Sequence, residues 1–273
     1  MNIIVIKEKF HQYRKEKEME IVLLTALGVG GATIIGALAG FCFKRVSHKL
    51  NDIILAFAAG IMLAAAVLGL IIPSIEHGTL MVGNYAILIT VLGIFSGAIL
   101  ISLLDRLVPH LHKPEGGELE EHNGNERLDK ILLFVLAIAI HNLPEGIAAG
   151  VGFGTENNDA EAFMIALGIA LQNIPEGMVI IAPMLAAGLS PKKTFMYAAL
   201  TGLVEVVGTF IGYFAVSVAE AILPFALAFA GGTMLYVISD EMIPETHEHG
   251  YQKAATYSLL VGFAVMLVMD FFI

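Results

Sequence analysis

The sequence predicts an all-α, polytopic membrane protein with eight transmembrane helices, and three observations predict it. Apolar residues make up 57% of the 273-residue chain and charged ones only 15%, against roughly a quarter charged in soluble domains. Apolar runs of about 20 residues, the length that crosses a hydrocarbon core, recur from one end of the chain to the other. Lys and Arg populate alternate connections only: ten lie in the loops after spans one, three, five and seven, and none after spans two, four and six.

The first run, 21–43, follows a mixed-charge tail, 1–20, that contains KEKFHQYRKEKEME. Without a small-residue cleavage site it reads as a retained span rather than a signal peptide. Runs two and three cover 53–72 and 85–104. Between the third and the fourth, HLHKPEGGELEEHNGNE is rich in Gly, Glu and His, so 108–128 reads as a flexible connector whose His110, His112 and His122 could collect metal ions. Runs four to eight cover 131–153, 162–187, 195–218, 221–239 and 255–273, which makes 21–273 one transmembrane domain with no soluble domain attached. By the positive-inside rule the Lys- and Arg-bearing loops are cytoplasmic, which puts both termini outside; five cations in the tail oppose that orientation. The single Cys42 excludes an internal disulfide, and the net charge of -10 argues against nucleic acid as a partner.

The chain repeats itself. Span two reads FAAGIMLAAAVLGLIIPSIEHG from Phe57, and span seven reads FAGGTMLYVISDEMIPETHEHG from Phe229. In an eight-span topology these run in opposite directions, so spans 1–3 and 6–8 form an inverted repeat around spans 4 and 5, a recurring plan of secondary transporters. The Gly- and Ala-rich faces of spans two and seven suggest close sliding of helices.

Spans four and five carry HNLPEG, from His141, and QNIPEG, from Gln172. Residues four apart share a helix face, so His141 pairs with Glu145 and Gln172 with Glu176. Asn142 and Asn173 border those faces. Each proline removes a backbone donor and bends its helix, which is tolerable at membrane depth where the freed carbonyls line a cavity. Span six adds Glu205. An ionised carboxylate at the bilayer centre costs on the order of 2.5–3.5 kcal/mol, and no Lys or Arg lies at mid-depth to neutralise the three acids. The compensating charge is therefore a proton or a bound cation. One imidazole with three carboxylates and three carboxamides suits a borderline divalent ion such as Zn²⁺ better than Ca²⁺ or Mg²⁺, and three acids balance most of the charge of two ions. No H-E-x-x-H motif is present to support a metal-dependent intramembrane protease; the chain reads as no enzyme, with a selective channel as the alternative to a carrier.

The paired PEG motifs on consecutive spans, eight spans and a His-containing third loop resemble the ZIP (Zrt/Irt-like) family of divalent metal transporters, in its prokaryotic GufA-like branch. The resemblance implies transport of zinc, with cadmium, iron and manganese as further candidates, into the cytoplasm across the plasma membrane. It implies a binuclear centre at mid-membrane with His141, Asn142, Glu145, Gln172, Asn173, Glu176 and Glu205 as ligands, and Met62 near the first metal. It also implies a route: Glu76 and Asp270 near the outer mouth, and Asp105, His110, His112, Asp240 and Glu241 near the cytoplasmic exit. A homodimer is compatible with this pattern. Many members have His where this chain has Gln172, and an acid where it has Asn173, so the preferred metal stays open.

Overall fold

A computed structural model describes residues 3–42, 47–107, 124–154, 159–186, 188–218 and 220–272, and every regular element among them is helical. We number the long helices α1 (Ile3–Cys42), α2 (His48–Ala64, a π-helical segment Ala65–Ile71, and Ile72–Val82), α3 (Ala86–Leu107), α4 (Gly124–Val151), α5 (Asp159–Val179), α6 (Pro191–Val218), α7 (Leu223–Val237, π-helical Ile238–Met242, and Ile243–His247) and α8 (Gln252–Phe272). A short helix, Ile181–Ala186, follows α5. The charged stretch before residue 21 is helical from Ile3 and continues into the first span.

Six stretches among the described residues are long and apolar enough to cross a membrane. One of these, His48–Leu104, has 57 residues and is two helices parted at Gly83, whose φ of +62° reverses the chain where a side chain would be strained. That gives seven crossings; α4, with 28 residues, is also long enough to span.

Helix packing divides into two sets. Helices α1, α4, α5 and α6 pack on one another through α4–α6, α1–α5 and α1–α6, while α2, α3, α7 and α8 pack through α3–α7 and α2–α8. The seam between the sets is made chiefly by α2 against α5 and α4 against α7. This contact pattern is unchanged when α1 is exchanged with α6, α2 with α7, α3 with α8 and α4 with α5, which is what an inverted repeat requires.

Glycine contacts give the exchange residue by residue. Gly30 on α1 and Gly202 on α6 lie 172 residues apart, as do Thr33 and Glu205, and each glycine abuts the other's carbonyl. Gly146 lies on the carbonyl of Glu205, and its counterpart Gly177 lies on the carbonyl of Thr33. Gly36 meets Ile174 and Gly208 meets Leu143; Gly60 meets Leu259 and Gly232 meets Ile94. In these places a Cβ would strike backbone, so the helices touch main chain to main chain. Gly60 of span two and Gly232 of span seven accordingly fasten α2 to α8 and α7 to α3 within one set, whereas Gly69 of span two faces α5 across the seam.

Both π-helical segments have one cause. Ile72 N bonds the carbonyl of Val67 and Ile243 N bonds that of Ile238, five residues back instead of four, immediately before Pro73 and Pro244. A proline ring lacks the donor for its own i−4 carbonyl and crowds it, so the turn widens. Pro144 and Pro175, by contrast, sit inside helices that run on through them.

Candidate metal centre

The centre lies inside the first helix set, where α1, α4, α5 and α6 meet. Asn142 and Glu145 on α4, Gln172 and Asn173 on α5, and Glu205 on α6 are all buried, Glu205 and Gln172 at 0% exposure. Burial at this depth follows from the glycine contacts: Gly146, next to Glu145, draws α4 onto the backbone of Glu205 itself.

Hydrogen bonds divide the residues into two groups. Around Glu205, Oε1 accepts from Thr33 Oγ1 at 2.6 Å and from Asn142 Nδ2 at 2.6 Å, and Oε2 accepts from Asn173 Nδ2 at 2.5 Å. Asn173 Nδ2 also faces the Val29 carbonyl at 3.3 Å. Around Glu145, Oε1 accepts from Gln172 Nε2 at 2.8 Å. Each carboxamide thus turns its NH₂ toward a carboxylate, and Gln172 and Asn173 leave their carbonyl oxygens over. Glu145 Oε2, Gln172 Oε1 and Asn173 Oδ1 are buried and have no donor. An unsatisfied buried polar atom costs about 1–3 kcal/mol, and these three are oxygen acceptors. Glu145 and Glu205 both lie within electrostatic range of Glu176, which is half-buried.

Of the sequence-predicted ligands, His141 lies within electrostatic range of Glu176 and also reaches out of the first helix set. Its Nε2 stands 2.8 Å from Glu241 Oε1, so the imidazole bridges the seam from α4 to the π-helical segment of α7. Glu241, expected along the exit, is in direct contact with His141, a sequence-predicted ligand. Met62 is buried at 1% within the apolar core formed with Leu55, Ile61 and Met234. Among the described residues no three of His, Cys, Asp and Glu are grouped to hold a metal by themselves; what the fold gathers is a mixed set of carboxylates and carboxamides. Glu76, Asp240 and Asp270 are exposed. Asp105 lies on α3 with its side chain outside the described residues, as are His110, His112 and His122 altogether.

Two features escaped the sequence reading. Thr33 is one; its signal was available, because it occupies the repeat position of Glu205. The other is Asp52, wholly buried near the start of α2, whose Oδ1 is 3.0 Å from His249 Nδ1 while Oδ2 has no partner. His48 stacks on His249 with ring centroids 4.4 Å apart.

Comparison with known proteins bears on the family. A family described as ZIP Zinc transporter matches residues 117–270. Zinc transporter GufA of Myxococcus xanthus is 39% identical over 250 residues, covering 91% of this chain and 97% of that protein. Zinc transporter ZIP11 of Homo sapiens is 33% identical, covering 91% and 96%. Zinc transporter ZIPB of Bordetella bronchiseptica is 37% identical, covering 88% of this chain and 77% of its own length.

Proposed function

Since the chain belongs to the ZIP family of zinc transporters, we propose that it carries Zn²⁺, or a divalent ion of like chemistry, through the membrane by way of the buried cluster on α4, α5 and α6. The observation that carries the proposal is the set of three buried oxygens without donors, on Glu145, Gln172 and Asn173. Oxygens of this kind are satisfied by bound cations and not by a bound anion. With Glu176 and Glu205 the cluster holds three carboxylates, enough to offset most of the charge of two divalent ions, so two ions per chain is the reading we adopt. His141 joins the ligands when it leaves Glu241.

Alternating access is supported by the division into two helix sets. Backbone-to-backbone glycine contacts lie within each set. Across the seam, Gly69 on α2 faces the side chain of Ile165, and Gly168 on α5 faces those of Met266 and Ala65. Side chains can repack as one set shifts against the other, whereas interlocked main chains cannot. The lysines and arginines of alternate loops support an orientation with both termini outside, and the family resemblance is what supports inward transport across the plasma membrane.

Radioactive zinc uptake into proteoliposomes tests the reading. Glu145→Ala and Glu176→Ala are each expected to abolish saturable uptake, a loss of a hundredfold or more. Wild-type uptake in both variants would overturn it.

A further inference from the structure

We propose that Thr33 is a positioning residue that makes Glu205 a one-oxygen ligand, and that through Glu205 it governs which divalent cation the protein prefers. This rests on the reading of Glu205 as a metal ligand.

An ionised carboxylate has about four lone-pair sites. At Glu205 three are taken: Thr33 and Asn142 both donate to Oε1, and Asn173 donates to Oε2. Oε1 is full, and one site is left, on Oε2. A cation that meets this carboxylate meets a single oxygen. Zinc, four-coordinate with one atom from each ligand, loses nothing by that. Larger ions such as Cd²⁺ and Ca²⁺ reach higher coordination numbers, which bidentate carboxylates help to supply. The hydroxyl on Oε1 therefore disfavours the larger ion.

Thr33 is not an incidental neighbour. It is 3% exposed, and the same inverted repeat that puts Glu205 on α6 puts Thr33 on α1, with Gly177 seated on its carbonyl as Gly146 is seated on that of Glu205. The two-fold arrangement brings positions 33 and 205 face to face, and the chain fills one with a carboxylate and the other with the group that caps it. Asn142 loads the same oxygen, but it is itself a candidate ligand, so its replacement would change two things together. Thr33 isolates the capping effect.

The experiment measures radioactive zinc and cadmium uptake into proteoliposomes, separately and in competition, for the wild type, Thr33→Val, Thr33→Ala, Thr33→Ser and Glu205→Gln. Valine keeps the shape of threonine and removes the hydroxyl; alanine removes it without branching, and serves if the valine variant does not fold. The cadmium-to-zinc ratio of Vmax/KM is expected to rise about tenfold in both, the equivalent of one hydrogen bond to a charged group. Serine, which restores the donor, is expected to keep the wild-type ratio, a result that a purely structural role for Thr33 does not predict. An unchanged ratio without the hydroxyl, or an equal shift in the serine variant, overturns the proposal. If Glu205→Gln transports zinc like the wild type, the ligand reading itself fails. If that variant is impaired while the ratio in Thr33→Val is unmoved, only the role of Thr33 falls.

Discussion

The two helix sets are assembled by one rule and filled with opposite chemistry. In both, paired glycines bring helix backbones into contact: Gly146 and Gly177 in the first set, Gly60 and Gly232 in the second. Yet the interior of the first set holds Asn142, Glu145, Gln172, Asn173 and Glu205, while the second packs Ala58, Ala59, Leu227 and Met234. Tight main-chain packing therefore does not by itself make the polar centre; it makes two firm bodies, one of which gathers the carboxamides together with Glu145 and Glu205. The seam differs from both, because its glycines face side chains.

The largest effect comes from breaking that rule within a set. Gly146→Val drives a branched side chain into the backbone of Glu205, where no rotamer can yield. Overpacking of ordinary cores costs about 1–3 kcal/mol, and against main chain the cost should exceed about 3 kcal/mol, lowering the melting temperature in detergent by roughly 10 °C and eliminating uptake. Gly69→Val, at the seam, meets only the Ile165 side chain. Its melting temperature should stay within about 3 °C of the wild type while the maximal uptake rate falls several-fold at unchanged KM. Equal destabilisation by the two substitutions would erase the distinction between firm bodies and a yielding seam.

Much of this arrangement was legible in the sequence, because membrane crossing and repetition both write long patterns. Apolar runs marked the spans, and the match between Phe57 and Phe229 marked the repeat. The cluster was legible as well, since ionisable groups within apolar runs stand out. What stayed hidden depends on the third dimension or on small residues. Thr33 is an unremarkable threonine until the repeat register is carried back from span two into span one. The contact between His141 and Glu241 joins segments a hundred residues apart, and the widening that aims Glu241 arises from Pro244, three residues further along. Sequence reasoning weighed the backbone effect of Pro144 and Pro175, and used Pro73 and Pro244 only as marks of the repeat, although the helical register widens just before those two.

Those two widened turns allow the next comparison. Pro244→Ala restores a backbone donor and lets α7 close to ordinary helix, which swings Glu241 away from His141. Zinc uptake should fall about tenfold, the scale of one charge-assisted contact. The matching segment in α2, Ala65–Ile71, contains no ionisable residue, so Pro73→Ala should alter uptake by no more than about twofold. A loss as large in Pro73→Ala as in Pro244→Ala would mean that the widened turns act through helix shape, not through Glu241.

The smallest effect is expected at Asp52, a buried charge of the apolar set. Among the described residues Glu205 has three donors, whereas Asp52 is paired with His249 through Oδ1 alone. Removing one member of a buried pair strands the other, but replacing both with apolar groups is often neutral. His249→Leu should therefore destabilise by about 1–3 kcal/mol, and Asp52→Leu with His249→Leu should recover most of that loss, as read from melting temperatures in detergent. Zinc uptake should stay within about twofold of the wild type in both, since neither residue touches the cluster and the change in stability is modest. A double variant that melts like the wild type yet no longer transports zinc would show that the second set contributes chemistry of its own, and the division of labour between the two bodies would have to be redrawn around Asp52.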